Sequence, residues 1–303
     1  MNFSRLRQRI KPLVLPLAII GGILFHDFIC SIAFLAPYLL FLMLLITYCK
    51  VSLKEFRINS FTWVLLAVQI VGSIALYFAL LPFNPTVAQA TFMCVFCPTA
   101  TAAPVITSML GGSIARVATF SILSNMSVAV LAPLLFSMMG DNCQLDFIGQ
   151  FATIGSRIFP LLVMPLLIAL LLRRFLPKVS TAISSRQSVS FYLWAVGLFI
   201  VVGRAVTFVM KEPIEQLPII IVIALLSCAV CCLQFYFGRK IGAKHGDTIA
   251  GGQGLGQKNT ILAVWMALTY LHPLASIGPA AYVFWQNTIN SWQLYRKTRQ
   301  ECK

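Results

Sequence analysis

The sequence predicts an all-α integral membrane protein: ten transmembrane helices forming two inverted five-helix repeats, with broken fourth and ninth helices crossing at the midplane. Three observations lead there. The chain of 303 residues is 59% apolar and only 10% charged, whereas soluble domains carry about a quarter charged residues. Its apolar runs are long enough to span a bilayer, which takes about 17–25 residues. Its basic residues fall on alternate loops.

The runs lie at 12–29, 32–49, 60–81, 86–111, 113–139, 147–172, 187–210, 214–238, 247–271 and 274–295. Arg5, Arg7 and Arg9 before the first run resemble the start of a signal peptide, but Phe25-His26-Asp27-Phe28 at its end offers no small-residue cleavage site. The first run is therefore read as a retained helix. Links such as Pro82-Phe83-Asn84-Pro85 are short, and no hydrophilic segment is long enough for a separate soluble domain.

Loop charge sets the topology. Arg5, Arg7, Arg9 and Lys11 precede the first span; Lys50, Lys54 and Arg57 follow the second; Arg116 follows the fourth. Arg173, Arg174, Lys178 and Arg186 follow the sixth, Arg239, Lys240 and Lys244 the eighth, and Arg296, Lys297, Arg299 and Lys303 close the chain. Asp27, Asp141, Asp146, Glu212 and Glu215 fall on the other side with Lys211. By the positive-inside rule both termini are cytoplasmic. The net charge of +15 is thus spent on topology and on attraction to anionic membrane lipid, and no nucleic-acid partner is expected.

Five spans per half, 1–142 and 143–303, make the second repeat inverted. In each half the fourth span is interrupted, at Pro98 to Pro104 (within CPTATAAPVITSMLGG) and at Gly251 to Lys258 (within GGQGLGQKNT). Unpaired backbone in hydrocarbon costs several kcal/mol, so a span breaks only where the freed groups line a cavity or are packed by protein. Matched breaks in both halves are a pointer to a midplane substrate site in a transporter. Half-helix N-termini there favour anions and C-termini cations.

Other chemistry is not indicated. No zincin histidine pair, nucleotide-binding glycine loop or Gly-x-Ser-x-Gly elbow occurs, so an enzyme, a cofactor and a bound metal are not expected. The cysteines, including Cys94/Cys97 and Cys228/Cys231/Cys232, sit in apolar helices and read as small buried hydrophobes, with a soft-metal or metalloid site as the alternative. His26, His245 and His272 lie at span ends, and Asp247 reads as a helix cap.

Phe96-Cys97-Pro98 through Ala132-Pro133, Gly254 to Ala263 with Asn259, and Trp285-Gln286-Asn287 together resemble the bile acid:sodium symporter family of secondary transporters. The resemblance covers nearly the whole chain. It implies a mobile core of helices 3–5 and 8–10 moving against a panel of helices 1, 2, 6 and 7. It also implies organic-anion substrates of bile acid, steroid or small carboxylate type, and the inner (plasma) membrane as location.

The departures from the family pattern concern sodium. Sodium-coupled members have Ser-Asn after the first-break threonine; here Thr101 is followed by Ala102-Ala103-Pro104. Where they place a Glu and a Gln that bind sodium, this chain has Gly254 and Lys258. An ammonium donates only and cannot ligate a cation. Lys258 is accordingly expected to replace the coupling sodium, hydrogen-bonded to Gln69, to Ser121 or Ser124, and to carbonyls of the broken segments. Transport is then expected to be sodium-independent, either uniporter-like or coupled to protons through Lys258. Carried over as substrate-binding residues are Thr101, Asn259, Gln286 and Asn287, with Gln286 standing where some relatives have His. Intramembrane arginines are functional candidates by default, and Arg204 joins the substrate set while Arg157 is the weaker candidate. Two alternatives stay open: a metalloid or auxin-like efflux carrier of related architecture, in which Cys94 and Cys97 matter, and a non-transporting membrane sensor.

Overall fold

The computed structural model describes residues 17–18, 20–50, 58–139, 147–185, 187–211 and 213–301. Arg5, Arg7, Arg9, Lys11, Lys54, Arg57, Arg186, Lys303, Asp141, Asp146, Glu212 and the repeat boundary at 142/143 lie outside the described residues.

The protein is an all-α membrane protein. Helix α1 (His26–Ile32) runs through a short 3-10 turn, Ala33–Leu35, into α2 (Ala36–Lys50). Then come α3 (Ser60–Leu80), α4 (Pro85–Phe96), α5 (Ala103–Leu110), α6 (Ile114–Met139), α7 (Phe147–Phe175), α8 (Pro177–Ser185) and α9 (Gln187–Lys211). The chain ends with α10 (Leu217–Lys244), α11 (Thr248–Gly256), α12 (Thr260–Tyr270) and α13 (Ile277–Glu301). Among the described residues, four helices are long and apolar enough to cross a membrane: Ser60–Leu80, Ile114–Met139, Phe147–Phe175 and Ile214–Lys244, the last including the 3-10 turn before α10. Pro85–Phe96 and Thr260–Tyr270 are apolar but shorter, the lengths expected of half-helices.

The starts are written in the sequence as side-chain caps. Asn59 accepts from Thr62 N at the head of α3, and Asn84 accepts from Val87 N at the head of α4, where Pro85 occupies the first turn. Asp247 accepts from Ala250 N at the head of α11. Each satisfies one of the donors a helix start leaves open. Gly111, at φ 86°, closes α5 in the left-handed conformation that favours glycine.

Three boundaries differ from the sequence expectation. The first interruption is Cys97–Ala102, with Pro104 already in the first turn of α5, where a missing N–H costs nothing. The second is narrower than expected: Gly251 to Gly256 is helical, and only Gln257 to Asn259 is not. The glycines permit close approach rather than breaking the helix. A Cβ on Gly251 would lie 2.1 Å from the Gly238 carbonyl oxygen, and one on Gly242 would lie 2.3 Å from that of Asp247. Backbone therefore rests on backbone along the α10–α11 contact, the small-residue packing typical of membrane helices. Finally, α8 forms where the sequence reading has a loop, since Pro177 starts a helix too short and too polar to register as a span.

Packing sorts the helices into neighbours. α9 lies against α1 and α2, and α2 lies against α7. α4 packs on α3, α10 and α13, and α11 on α10, α5 and α6. α6 meets α7, and α12 meets α9 and α2. Phe92 and Phe96 of α4 meet Phe136 of α6 edge-on, and Phe136 stacks on Tyr270 of α12, which ties the three helices together.

Candidate functional site

The two interruptions meet. Thr99 and Lys258 form an antiparallel bridge, with Asn259 N donating to Pro98 O at 2.8 Å and Ala100 N to Gln257 O at 3.0 Å. Two half-helix C-termini (α4, α11) and two N-termini (α5, α12) therefore converge on a few residues of paired extended chain.

A buried helix end must find partners for its last carbonyls, and those of α4 find them in side chains of other elements. Cys94 O accepts from Gln234 Nε2 at 3.0 Å, and Val95 O from Lys258 Nζ at 2.8 Å. Phe96 O and Cys97 O both accept from Gln69 Nε2, at 2.7 and 3.2 Å. Ser124 Oγ donates to Gln69 Oε1 at 2.8 Å and fixes the amide's orientation. On the α11 side, Thr99 Oγ1 donates to Gly254 O and Tyr282 OH to Gly256 O, both at 2.8 Å. Gln286 brackets Lys258 itself, accepting from its N–H at 2.9 Å and donating to its carbonyl at 3.3 Å.

Lys258 is 1% exposed, and the Val95 carbonyl is the hydrogen-bond acceptor its ammonium reaches among the described residues. No carboxylate among the described residues lies at ion-pair distance from it. Its charge faces the C-terminal end of α4, which carries roughly half a negative charge from the aligned peptide dipoles. Of the partners the sequence reading names for Lys258, a carbonyl beside the first interruption is present. The other partners differ from the expectation. Gln69 holds the neighbouring Phe96 and Cys97 carbonyls rather than the ammonium, Ser124 holds Gln69, and Ser121 Oγ makes a long contact, 3.5 Å, to Thr99 O.

The remaining predicted residues divide. Asn259 caps α12 by accepting from Leu262 N at 3.3 Å, and its Nδ2 is buried without a partner among the described residues. Thr101 is half-buried in the first interruption. Asn287 donates to Val283 O of its own helix at 2.7 Å. Arg204 lies apart from the crossover and lines a cavity of about 340 Å³ with Ala33, Phe34, Pro37, Thr207, Phe208 and Trp265. Trp265 is on α12, five residues and roughly 8 Å of helix rise beyond Thr260. Arg157 is exposed. Cys97 Sγ donates to Asn259 O at 3.0 Å, a packing role. Gln234, Tyr282 and Thr99 escaped the sequence reading; polar residues inside apolar spans are visible there, but the carbonyl each one serves is not.

Replacing Gln69 by Leu strands the Phe96 and Cys97 carbonyls in a dry interior. Each buried acceptor left open costs about 1–3 kcal/mol. A comparable loss of stability is expected in denaturant unfolding of the detergent-solubilised protein, and an unchanged midpoint would contradict the capping role.

No protein-family model matches the chain, and no curated protein matches it significantly.

Proposed function

We propose that this protein is a secondary carrier of organic anions working by alternating access, similar in plan to the bile acid:sodium symporters. In this reading the chain crosses the membrane ten times as two inverted repeats with cytoplasmic termini in an inner (plasma) membrane. The core of helices 3–5 and 8–10 moves against the panel of helices 1, 2, 6 and 7, and Lys258 takes the place of the coupling sodium. The observation that carries it is the paired crossover of two interrupted helices around a buried ammonium. A soluble fold has no need of such an arrangement, and in a membrane broken helices accompany substrate and ion sites.

The Arg204 cavity supports the substrate class. A guanidinium beside Phe34, Phe208 and Trp265 offers charge and aromatic surface together, the combination suited to an anion with a hydrophobic body. The cavity spans α9 and α12, so an occupant touches both the panel side and the arm that leads to the crossover.

Uptake of a mixed panel of labelled organic anions into proteoliposomes tests the reading. Flux above protein-free vesicles is expected, falling about tenfold in Arg204→Gln. Ligand binding with no flux would replace the carrier by a sensor, and uptake indifferent to Arg204→Gln would remove that residue from the substrate path.

A further inference from the structure

A second cavity, of about 350 Å³, lies at the opposite, basic end of the bundle from the Arg204 cavity. Leu110 at the end of α5, Arg239 of α10, Ile249 of α11, and Trp292, Gln293, Arg296, Lys297 and Gln300 of α13 line it. From these residues we infer that the cavity is a phosphate-group site, with an anionic phospholipid headgroup as the occupant its apolar rim favours.

The cations are organised by the fold. Arg296 stacks its guanidinium 5.0 Å over the Trp292 ring, which fixes the plane of its donors. Lys297 Nζ is held 3.0 Å from Met109 O, capping the C-terminal end of α5. Among the described residues, no acidic side chain lines the cavity. Three basic side chains from two helices thus converge on the cavity, and arginine forks match phosphate oxygens.

Behind them sits a polar group with unmet hydrogen-bond capacity. Gln253 Nε2 donates to Asn290 Oδ1 at 3.0 Å and to Gln293 Oε1 at 3.2 Å. Gln293, whose side-chain carbonyl accepts from Gln253, itself lines the cavity. Gln253 Oε1 and Asn290 Nδ2 are buried with no partner among the described residues, and native interiors rarely leave such groups without water or ligand. Leu110, Ile249 and the Trp292 face supply the apolar edge. A headgroup carrying acyl chains meets both surfaces, whereas inorganic phosphate uses only the polar one. A phosphate here would join α5 and α11, the two arms that lead from the crossover to this end, with α10 and α13.

Native mass spectrometry of the purified full chain, exchanged into phosphatidylglycerol or phosphatidylcholine, tests the assignment. Basic residues near a membrane surface contribute about 1 kcal/mol each toward anionic lipid, so retention of phosphatidylglycerol is expected to fall about fivefold in Arg296→Gln. The double variant with Arg239→Gln should lose correspondingly more, and Arg299→Gln, whose side chain does not line the cavity, should match the native chain. Arg296 is exposed, so its single variant keeps the test open if the double variant does not fold. Competition by inorganic phosphate separates the sources: displacement of bound phosphatidylglycerol supports the site, and phosphate binding without any lipid preference assigns it to a soluble phosphate instead of a lipid. Equal retention of both lipids with no effect of phosphate, or retention unaltered by the arginine changes, would overturn the proposal.

Discussion

Lys258→Gln is expected to leave the protein folded while lowering organic-anion flux at least tenfold. Two effects on stability oppose each other. The shorter amide leaves the Val95 carbonyl poorly partnered, a cost of about 1–3 kcal/mol for a buried acceptor. Removing a buried charge relieves a desolvation penalty of several kcal/mol per ion. The two offset each other at least in part, so folding is expected to hold, whereas the positive charge beside the α4 C-terminus is gone altogether. Lys258→Glu is the opposite case. A carboxylate there faces the Val95 carbonyl at the C-terminal end of α4 in a site that is 1% exposed, and an uncompensated buried charge destabilises by about 3–5 kcal/mol. Folded yield should collapse for Glu and hold for Gln, as read by size-exclusion profile and unfolding midpoint. Equal yields would mean that the site is wetter and less dipolar than the packing implies.

Gly251→Ala should destabilise the protein by about 1–3 kcal/mol or more although it adds a single methyl group. The new Cβ would stand 2.1 Å from the Gly238 carbonyl and 2.8 Å from the Gly242 backbone. Both obstacles are main chain, so no rotamer change relieves them and α10 must part from α11, the overpacking penalty in its least evadable form. Because α11 leads directly to Lys258, the displacement is expected to abolish flux as well. Gly72→Ala provides the control. Nothing lies within 4 Å of its added Cβ, and a helical glycine-to-alanine change at an open position is neutral or stabilises by up to about 1 kcal/mol. Parallel denaturant unfolding of the two variants checks the contrast; equal midpoints would place α11 farther from α10 than the backbone contact requires.

Apolar runs, punctuated by Asn59, Asn84, Asp247 and Asn259, carry the helices because a cap and a span-length apolar stretch are local properties. The same locality explains what was misjudged. Four glycines between Gly251 and Gly256 read as a break, since nothing in a lone sequence says that a second backbone, Gly238 to Gly242, lies against them. Lys258, Gln69 and Ser124 were legible as polar residues in apolar spans, and they do gather at one crossover. Their pairing was not legible: which carbonyl Gln69 serves depends on where α4 ends, and that end is set by Pro98 together with the pairing of Thr99 to Lys258 across half the chain. Gln234 and Tyr282 were passed over for the same reason, as they bond the Cys94 and Gly256 carbonyls and each other, pairings with no signature in the sequence.

The central claim is that Lys258 occupies the role of the coupling cation. The most direct measurement is organic-anion flux into proteoliposomes with external sodium exchanged for choline at constant pH, for the native chain and for Lys258→Gln. Native flux that is the same in both salts, with the variant depressed in both, is the predicted result; native flux that collapses in choline would contradict it.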